Sequence, residues 1–492
     1  MEANQRSQLK KQPHVVIIMA DQLRADFISP KFTPNIYQIA QQSNRLERTY
    51  CASPLCVPAR GAFFTGQYPN ETGCIINPWT PADQKHGHVK KDTPNLYKLL
   101  EEEWDSWHAG KQHLLTEEQF DLQPNTKTKW LPMQGRYQDY VKQQGKRLPG
   151  GAAFRGLAPE MAEGRTTRAK EYSIPTTGCY EEGMDTFFDG FILRDALHAL
   201  KNRDTSKPLF LSAMFLAPHP PLDIPEPYYS MFKAEDMRLP ANVATWSKNQ
   251  SPLQLYNLTG AVGTGYTLEN WREIWSVYAG LVKLLDDCVG ELIAELKKQN
   301  IFEDTLLVVT SDHGEMLGSH QLWQKMCMYE ESIHTPLYIK LPQQQNGKQF
   351  DALASAIDVI PTICDYLELP YQNQFSGKSL RPLLEEEKEI HKYIFIQFDG
   401  NGARGNFQRS VVNKQYKLIV DIFKDELFIE LYDLAAEKQE SVNLAFEATY
   451  KETIEAMLHV LREHMKSTED LLVVPTDAYA EFLQRYGQYQ EK

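Results

Sequence analysis

Continuous apolar runs of strand length recur through the first two thirds of the chain. The runs at residues 15–20, 209–216 and 305–310 show no alternation of polar and apolar positions, which is typical of strands buried on both faces of a parallel sheet. Shorter strands are predicted at 104–109 and 335–340. Amphipathic helices are predicted between and after these strands, at residues 184–200, 268–299 and 355–367. Strands that alternate with helices predict an α/β fold.

The pattern changes after a short charged segment around residue 387. Alternating segments typical of antiparallel strands follow, at residues 393–398, 409–413, 416–420 and 427–432. A helix is predicted at 450–465. We therefore expect two domains, a large α/β domain at residues 1–385 and a smaller α+β subdomain at residues 386–492.

Two long segments of the first domain show neither a helical nor a strand pattern. Residues 120–180 and 222–265 are polar, with frequent Gln, Lys, Gly and Pro. We expect irregular insertions there, near the mouth of a cleft, where such loops usually contribute to binding specificity.

Composition and charge exclude several classes of protein. The 492 residues carry a net charge of −13, which argues against a nucleic-acid-binding protein, although clustered Lys and Arg can still bind an anion inside a cleft. The 7 cysteines are scattered and indicate neither a disulfide framework nor a zinc motif. No apolar run is long enough to span a membrane. The polar N-terminus shows no secretory signal, so we expect a cytoplasmic protein, or a periplasmic or secreted one if a signal was removed.

The segment around Cys56 carries the most specific chemistry. Pro58 suits a first helical turn, so Cys56 is predicted to open a helix whose free N–H groups favour an anion. Arg60 lies four residues further on and therefore on the same face of the helix. A reactive thiol, an anion-binding helix end and a guanidinium group are thus expected together. An ordinary cysteine with a low pKa at a helix start would also fit these residues.

The pattern Cys56-x-Pro58-x-Arg60, followed by Thr65-Gly66, resembles the signature of the type I, formylglycine-dependent sulfatases of the alkaline phosphatase superfamily. This resemblance implies an alkaline-phosphatase-like α/β sandwich with a large, mostly parallel central sheet. A small C-terminal antiparallel sheet with a helix completes the implied fold. The resemblance also implies that Cys56 is oxidised to formylglycine (3-oxoalanine) by a partner, a formylglycine-generating or anaerobic sulfatase-maturing enzyme.

Two of the apolar strands end in residues that suit a metal ion. Asp21 and Gln22 follow the first strand, and Asp312 and His313 follow the strand at 305–310. Carboxyl ends of parallel strands meet at one edge of a sheet, where α/β proteins bind their ligands. The resemblance implies that these side chains and residue 56 bind one divalent cation, with Ca²⁺ favoured over Mg²⁺ or Mn²⁺. Gln22 and His313 also occur in the phosphonate and phosphodiester hydrolases of the superfamily.

Four further residues resemble the family's catalytic set. Lys111 and His113 follow the strand at 104–109, His219 lies among prolines at the end of another strand, and Lys325 follows the Asp312 segment. Taken alone, each is compatible with an ordinary surface or turn residue. The resemblance implies that Lys111 and Lys325, with Arg60, hold sulfate oxygens. It assigns His113 to the formylglycine hydroxyls and places His219 beside the bridging ester oxygen, where it protonates the leaving alcohol.

The mechanism implied by the resemblance has two steps. A hydroxyl of the hydrated formylglycine attacks sulfur and gives a covalent sulfo-enzyme. His113 then removes the proton of the second hydroxyl, the aldehyde reforms, and sulfate leaves. We therefore expect a sulfuric ester hydrolase. Hydrolysis of phosphonate monoesters or phosphodiesters by the same residues stays open, as does a non-enzymatic binding protein on a sulfatase scaffold.

The expected substrate is a sulfated saccharide attacked at a chain end, such as a glycosaminoglycan fragment. The irregular segments must hold its alcohol half, because the strand-end residues are assigned to sulfate and metal. Arg404 can pair with a sugar carboxylate, and Asp399 can accept hydrogen bonds from hydroxyl groups. The candidates are His86, His88, His320, Asp399 and Arg404. The pattern leaves open whether the protein is a monomer or a homo-oligomer.

Overall fold

The computed structural model of the protein describes residues 12–79, 81–162, 166–370 and 374–489. Most of the N-terminal segment considered above for a targeting signal lies outside these residues. Among the described residues, no helix combines the length and the apolar character that a membrane span requires.

The strands and helices follow the chain in a mixed order. The strands are β1 His14–Asp21, β2 Asn44–Tyr50, β3 Asp105–Gly110, β4 Lys129–Pro132, β5 Arg155–Ala162, β6 Thr166–Ser173, β7 Thr177–Cys179, β8 Leu209–Pro218, β9 Leu222–Ile224, β10 Thr305–Ser311, β11 Leu337–Lys340, β12 Gln349–Ser355, β13 Ile394–Phe398, β14 Phe407–Val412, β15 Tyr416–Phe423 and β16 Glu426–Asp433. The helices are α1 Pro34–Gln42, α2 Cys56–Thr65, α3 Pro69–Thr72, α4 Leu96–Leu100, α5 Arg136–Gln143, α6 Phe188–Lys201, α7 Leu258–Gly263, α8 Leu268–Lys298, α9 Glu330–Ile333, α10 Val359–Tyr366, α11 Arg381–Glu386, α12 Lys451–Ser467 and α13 Ala478–Tyr486.

The large sheet has 8 strands in the order β12-β2-β11-β10-β1-β8-β3-β4. Only β11 runs antiparallel to its neighbours among these strands. Both faces are covered, as the uniform apolar runs predict: Val16 and Ile18 of β1 face one core, and Val15 and Ile17 face the other. The predicted large, mostly parallel sheet is confirmed.

The small sheet is antiparallel, in the order β13-β14-β15-β16. One face packs on α12 and α13. The other face packs against the loop after β10, with Ile396 and Phe398 in one cluster with Met316 and Tyr329. The predicted C-terminal sheet and helix are confirmed. The division predicted at residue 385 falls between β12 and β13, and it stays a prediction.

The predicted irregular insertion at residues 120–180 is wrong in part. It contains β4, α5 and the hairpin of β5 and β6, which pairs Arg155 with Ser173 through Ala162 with Thr166. The hairpin shows no regular apolar alternation, since only Ala158 and Tyr172 among its described residues join a hydrophobic cluster, and the backbone hydrogen bonds between its strands supply much of its order. The structure also adds β2 and β12, whose polar residues conceal the strand pattern.

A buried carboxyl group links the small sheet to the irregular segment at residues 251–254. Asp421 of β15 accepts hydrogen bonds from Ser251 Oγ and Gln254 Nε2, both at 2.9 Å. Burial raises the pKa of Asp421 to about 8, from its ordinary value of 3.8, and the neighbouring Glu430 adds to the shift. The folded protein therefore holds a proton that the unfolded chain releases above about pH 4.

Stability should consequently fall as pH rises between these two pKa values. We expect the melting temperature to decrease from about pH 5 to about pH 8, and to decrease less in an Asp421→Asn variant, whose amide has no charge to bury. Thermal unfolding at constant ionic strength measures the slope of melting temperature against pH for the unaltered protein and for the variant. The exposed Asp425 supplies the control variant Asp425→Asn. Equal slopes for Asp421→Asn and the unaltered protein would contradict this prediction.

Candidate active site

Four adjacent strands of the large sheet deliver the predicted site residues to one edge. Asp21 ends β1, Asp312 follows β10, His219 follows β8, and Lys111 follows β3, in a sheet where these strands lie side by side. The turn after β3 requires glycine, because Gly110 has a φ of +105° and a Cβ there would lie 2.1 Å from the Met214 carbonyl oxygen. The common direction of parallel strands therefore assembles residues that are distant in the sequence.

Helix α2 begins at Cys56, as predicted, and brings this residue to the same edge. The Val57 N–H, one of the free donors of the first turn, donates to Asn77 Oδ1 at 3.1 Å. Gly66 ends the helix in the left-handed conformation, with a φ of +65°. The Cys56 side chain is buried but lines a cavity.

Arg60 joins the two acidic strand ends. Its Nε donates to Asp312 Oδ2 at 2.9 Å and its Nη2 donates to Asp21 Oδ2 at 3.0 Å. Its Nη1 donates to the carbonyl oxygen of Lys111 at 3.2 Å. The guanidinium group is 1% exposed and does not line the cavity. Three of its five N–H donors are thus engaged by the two carboxylates and the Lys111 carbonyl oxygen, and the predicted contact of Arg60 with sulfate oxygens stays a prediction.

The residues that suit a metal ion lie close together. One ligand atom each from Asp21, Cys56, Asp312 and His313 lies within 4.8 Å of all the others. His313 Nδ1 is 3.0 Å from the Gly314 carbonyl oxygen, which can only accept, so Nδ1 donates and the ring directs Nε2 toward the cluster. That Nε2 lies 3.2 Å from Cys56 Sγ. The ring is thus oriented for coordination.

The charges at this cluster are compatible with a divalent cation. Burial and the nearby Asp21 carboxylate raise the pKa of Asp312. For Asp21, burial acts in the same direction, but neighbouring cations, Lys111 foremost, hold the pKa below its ordinary value. A cation between two such carboxylates would remove their repulsion. The donor set of carboxylate oxygens and an imidazole therefore fits the expected metal.

Gln22 lies beside this cluster and is held on both sides. Its backbone has a φ of +70°. The side-chain Nε2 donates to the buried carboxylate of Glu315, and Oε1 accepts from Lys325 Nζ at 2.5 Å. The amide oxygen thus faces an ammonium group here, and its predicted metal contact stays a prediction.

The thiol of Cys56 is strongly polarised. Burial alone would raise its pKa, but the charges of Lys111 and Lys325, with His313, together hold the pKa of the thiol well below its ordinary value. Burial raises the pKa of the Cys51 and Cys74 thiols, and neither has a neighbouring cation among the causes of its shift. Cys56 is therefore set apart from them by its surroundings.

A cavity of about 370 Å³ opens above Cys56. Besides Cys56, four of the predicted residues line it: Lys111, His113, His219 and Lys325. His113 Nδ1 is buried without a hydrogen-bond partner among the described residues. Burial and the charge of Lys111 lower the pKa of His113 to about 4, so its ring is neutral and can accept a proton. This nitrogen is therefore available to a polar group of a ligand.

His219 has a defined orientation. Its Nδ1 is 2.6 Å from the Pro220 carbonyl oxygen and donates to it, which leaves Nε2 for a ligand. Burial first, and then the charges of Lys325 and Lys111, lower its pKa. A bound anion would oppose that effect, because it compensates the two lysines.

The residues expected to hold the alcohol half do not line the cavity. His320 is fully buried, stacks on Tyr329 and bonds Ser247 Oγ through Nδ1 at 2.8 Å. Asp399 is buried in an ion pair with Arg409 at 2.8 Å. For His320 and Asp399 the predicted substrate contact is wrong, because each is enclosed with its own partners.

The three other candidates also lie outside the cavity lining. His86 belongs to the turn at Pro81–Gly87, and His88 Nδ1 lies 2.8 Å from the carbonyl oxygen of Gln84. Arg404 lies over the Phe407 ring at 5.4 Å. The loop of Arg404 nevertheless reaches the cavity through Asn401.

Sequence reasoning missed several residues of the cavity wall. Asn77 and Trp79 come from the turn after α3, and Arg155, Lys170 and Tyr172 come from the hairpin of β5 and β6. Trp79 lies 5.5 Å from the His113 ring, measured between ring centroids, and is 46% exposed. No strand end or motif marks these residues, and only the basic and aromatic content of the insertion could have suggested them.

Comparison with protein families matches residues 13–369 to the sulfatase model, and residues 318–467 to the model of the C-terminal part of N-sulphoglucosamine sulphohydrolase. A multifunctional alkaline phosphatase superfamily protein, PehA of Trinickia caryophylli, is 29% identical over 487 residues, which cover 89% of this chain and 92% of the relative. An N-acetylglucosamine-6-O-sulfatase of Bacteroides thetaiotaomicron is 23% identical over 523 residues, which cover 95% of this chain and 89% of the relative.

Among solved structures, the phosphonate monoester hydrolase of Agrobacterium radiobacter superposes with a TM-score of 0.73 and 22% identity. The superposition covers 93% of this chain and 96% of the other. At that identity the likeness concerns the fold alone, and it confirms the expected sandwich architecture.

Proposed function

The chain belongs to the sulfatase family, and from this premise we propose that it hydrolyses carbohydrate sulfate monoesters with residue 56 in the formylglycine form. The observation that carries the proposal is the position of Cys56, which lies in one cluster with the two acidic strand ends and lines a cavity together with two lysines. Formylglycine would supply a hydrated aldehyde as nucleophile and allow sulfate to leave as the aldehyde reforms. The orphaned His113 Nδ1 fits a hydroxyl group at that position.

A divalent cation, with Ca²⁺ favoured, would be held by Asp21, Asp312, His313 and residue 56, with Gln22 as a further oxygen donor. When bound, it would polarise a sulfate oxygen and acidify the nucleophile. Arg60 then acts by positioning, because it fixes both carboxylates and also fixes the Lys111 backbone.

The charge that develops on the sulfate oxygens is met by Lys111 and Lys325. Both ammonium groups are more than nine-tenths buried and line the cavity, where low polarity strengthens their attraction for an anion. His219 Nε2 protonates the leaving alcohol, and His113 accepts the proton of the second formylglycine hydroxyl as sulfate leaves. Each group is already oriented, so little reorganisation accompanies the reaction.

The carbohydrate half of the proposal is supported by relatives. One relative is named as an N-acetylglucosamine-6-O-sulfatase, and the C-terminal match is to a sulphoglucosamine sulphohydrolase model. The exposed Trp79 on the cavity wall offers an aromatic face on which a sugar ring can pack. The proposal also requires an enzyme that converts Cys56 to formylglycine.

Removal of the metal should abolish turnover. We expect about one divalent ion per chain by mass spectrometry of the metal content, loss of sulfate release after chelation, and recovery when the ion is returned. Asp312→Asn should lower the metal content, because a carboxylate donor is lost. Asp351→Asn, which changes a carboxylate 74% exposed, is the matched control. Full activity of a metal-free preparation would contradict this assignment.

A second function, hydrolysis of phosphonate monoesters or phosphodiesters, is favoured by Gln22 and by the multifunctional relative PehA. Parallel assays decide between the two functions. The holoenzyme is tested with an aryl sulfate, glucosamine sulfates, an aryl phosphonate monoester and an aryl phosphodiester under one set of conditions. A larger kcat/KM for every phosphorus ester than for any sulfate would reject the sulfatase proposal in favour of the second function.

A further inference from the structure

The hairpin of β5 and β6 forms part of the cavity wall. Arg155, Lys170, Tyr172 and Ser173 line the cavity that Cys56 also lines. The base of the hairpin is attached to the segment that carries Lys325, since the Ser173 carbonyl oxygen accepts from Trp323 Nε1 at 2.8 Å and from Gln324 Nε2 at 3.1 Å. These two hydrogen bonds therefore fix the position of the hairpin relative to Lys325.

One face of the hairpin packs toward the protein. Ala158 and Tyr172 are buried in the cluster that contains Met326 and Leu258. Lys170 lies two residues from Tyr172 on the same strand, so its side chain projects from this same face. Its Nζ lies 5.6 Å from the centroid of the Tyr172 ring.

The charges around the cavity do not balance. Its wall carries Lys111, Arg155, Lys170 and Lys325 against a single carboxylate, Glu171 at an exposed position. Lys111 contacts the Asp21 carboxylate, and Lys325 donates to the neutral amide oxygen of Gln22, so both of these ammonium groups have a hydrogen-bond partner. The Nζ of Lys170 is buried, and within the described part of the chain it has no hydrogen-bond partner. A buried ammonium group without a partner is costly, and a ligand can supply the partner.

We propose that Lys170, with Arg155 at the rim, binds a second anionic group on the alcohol half of the substrate, either a carboxylate or a further sulfate. This inference rests on the proposed function, since one anionic group is already assigned to Lys111 and Lys325. The cavity of about 370 Å³ is within the range of small-molecule sites and larger than one sulfate group requires. The hairpin thus selects multiply charged saccharides over neutral alcohols that carry a single sulfate.

The test compares substrates that differ by one charge. The holoenzyme is assayed with an N-acetylglucosamine 6-sulfate, a glucosamine carrying 2-N- and 6-O-sulfates, a uronate-containing disaccharide with one sulfate, and 4-nitrophenyl sulfate. Lys170→Gln should raise KM about ten- to hundred-fold for a substrate with a second anion, with little change in kcat. It should leave the two singly charged substrates, N-acetylglucosamine 6-sulfate and 4-nitrophenyl sulfate, unchanged within about two-fold. Lys170→Arg should restore most of the loss, because it restores the charge.

Arg168→Gln is the matched control, since it removes one cation from the same strand at a residue outside the cavity lining. The two doubly anionic substrates show which anionic group Lys170 binds. A rise in KM for the disulfated glucosamine alone indicates a sulfate, and a rise in KM for the uronate-containing disaccharide alone indicates a carboxylate. Equal effects of Lys170→Gln on all substrates, or no effect on either doubly anionic substrate, would overturn the proposal.

Failure of this inference can be distinguished from failure of the proposed function. Calorimetric binding of the disulfated glucosamine and of the disaccharide to Cys56→Ala, with and without Lys170→Gln, needs no turnover. If the holoenzyme hydrolyses no sulfate ester, the proposed function is rejected, whatever the binding shows. If either ligand binds about ten-fold more weakly when Lys170 is replaced, the anion site stands; equal binding of both ligands overturns it.

Discussion

A Cys56→Ala variant is expected to lose turnover of sulfate esters by about 10⁴-fold or more, because it removes the nucleophile rather than one of several supporting charges. Substrate binding should survive within about ten-fold, since Lys111 and Lys325 keep their positions at the cavity. Steady-state kinetics measure the first effect and calorimetry the second. Peptide mass spectrometry of the active enzyme should identify residue 56 as the aldehyde.

Cys179→Ala is the control for this variant. Cys179 is partly buried on β7 and does not line the cavity, so its removal should leave turnover unchanged. Full activity of a preparation in which residue 56 is entirely unmodified cysteine would contradict the formylglycine assignment. A parallel loss of binding and turnover in Cys56→Ala would instead indicate that the cavity had collapsed.

The strand-end residues could be predicted because their surroundings are simple. Residues 15–20 and 306–309 are uniformly apolar, and an acidic residue, Asp21 or Asp312, lies within three positions of the end of each run. An apolar run of this length is typical of a buried parallel strand. The carboxyl ends of parallel strands lie at the same edge of the sheet. The close approach of Asp21 and Asp312, 291 positions apart by their numbers, follows from strand order.

The wall of the cavity could not be predicted in the same way. The residues of β5 and β6 alternate between short polar, long polar and apolar side chains without a regular period. Their pairing depends on backbone hydrogen bonds and on contacts with Met326 and Leu258, which are distant in the sequence. Sequence reasoning assigns His320 to the substrate because it lies beside the Asp312 motif, but it is a core residue that bonds Ser247.

The position of Gln22 gives a physical reason for the amide at this site. Its side chain lies between the Glu315 carboxylate, which accepts from Nε2, and the Lys325 ammonium group, which donates to Oε1. A carboxylate at residue 22 would place a second negative charge against the buried Glu315, whose pKa burial already raises. An amide satisfies both neighbours without that repulsion. The neutral amide of Gln22 therefore satisfies the hydrogen bonding of both Glu315 and Lys325.

The role of His219 predicts a dependence on the leaving group. An alcohol of a sugar is a poor leaving group and needs a proton as the ester bond breaks, whereas 4-nitrophenolate leaves without one. His219→Asn should therefore lower kcat/KM by about 10²- to 10⁴-fold for a saccharide sulfate and by less than about ten-fold for 4-nitrophenyl sulfate. A series of aryl sulfates should show a steeper dependence of the rate on the pKa of the leaving phenol in the variant.

Geometry supports this expectation, because Nδ1 of His219 is fixed on the Pro220 carbonyl oxygen and Nε2 is directed to a ligand. His198→Asn on the exposed side of α6 is the matched control and should change neither rate. An equal loss on both substrates would assign His219 to sulfate binding, because a charge contact with sulfate is the same for every alcohol. A loss confined to the saccharide, with an unchanged slope across the aryl series, would point to a contact with the sugar ring. Only the combination of a selective loss and a steeper slope is the signature of proton donation.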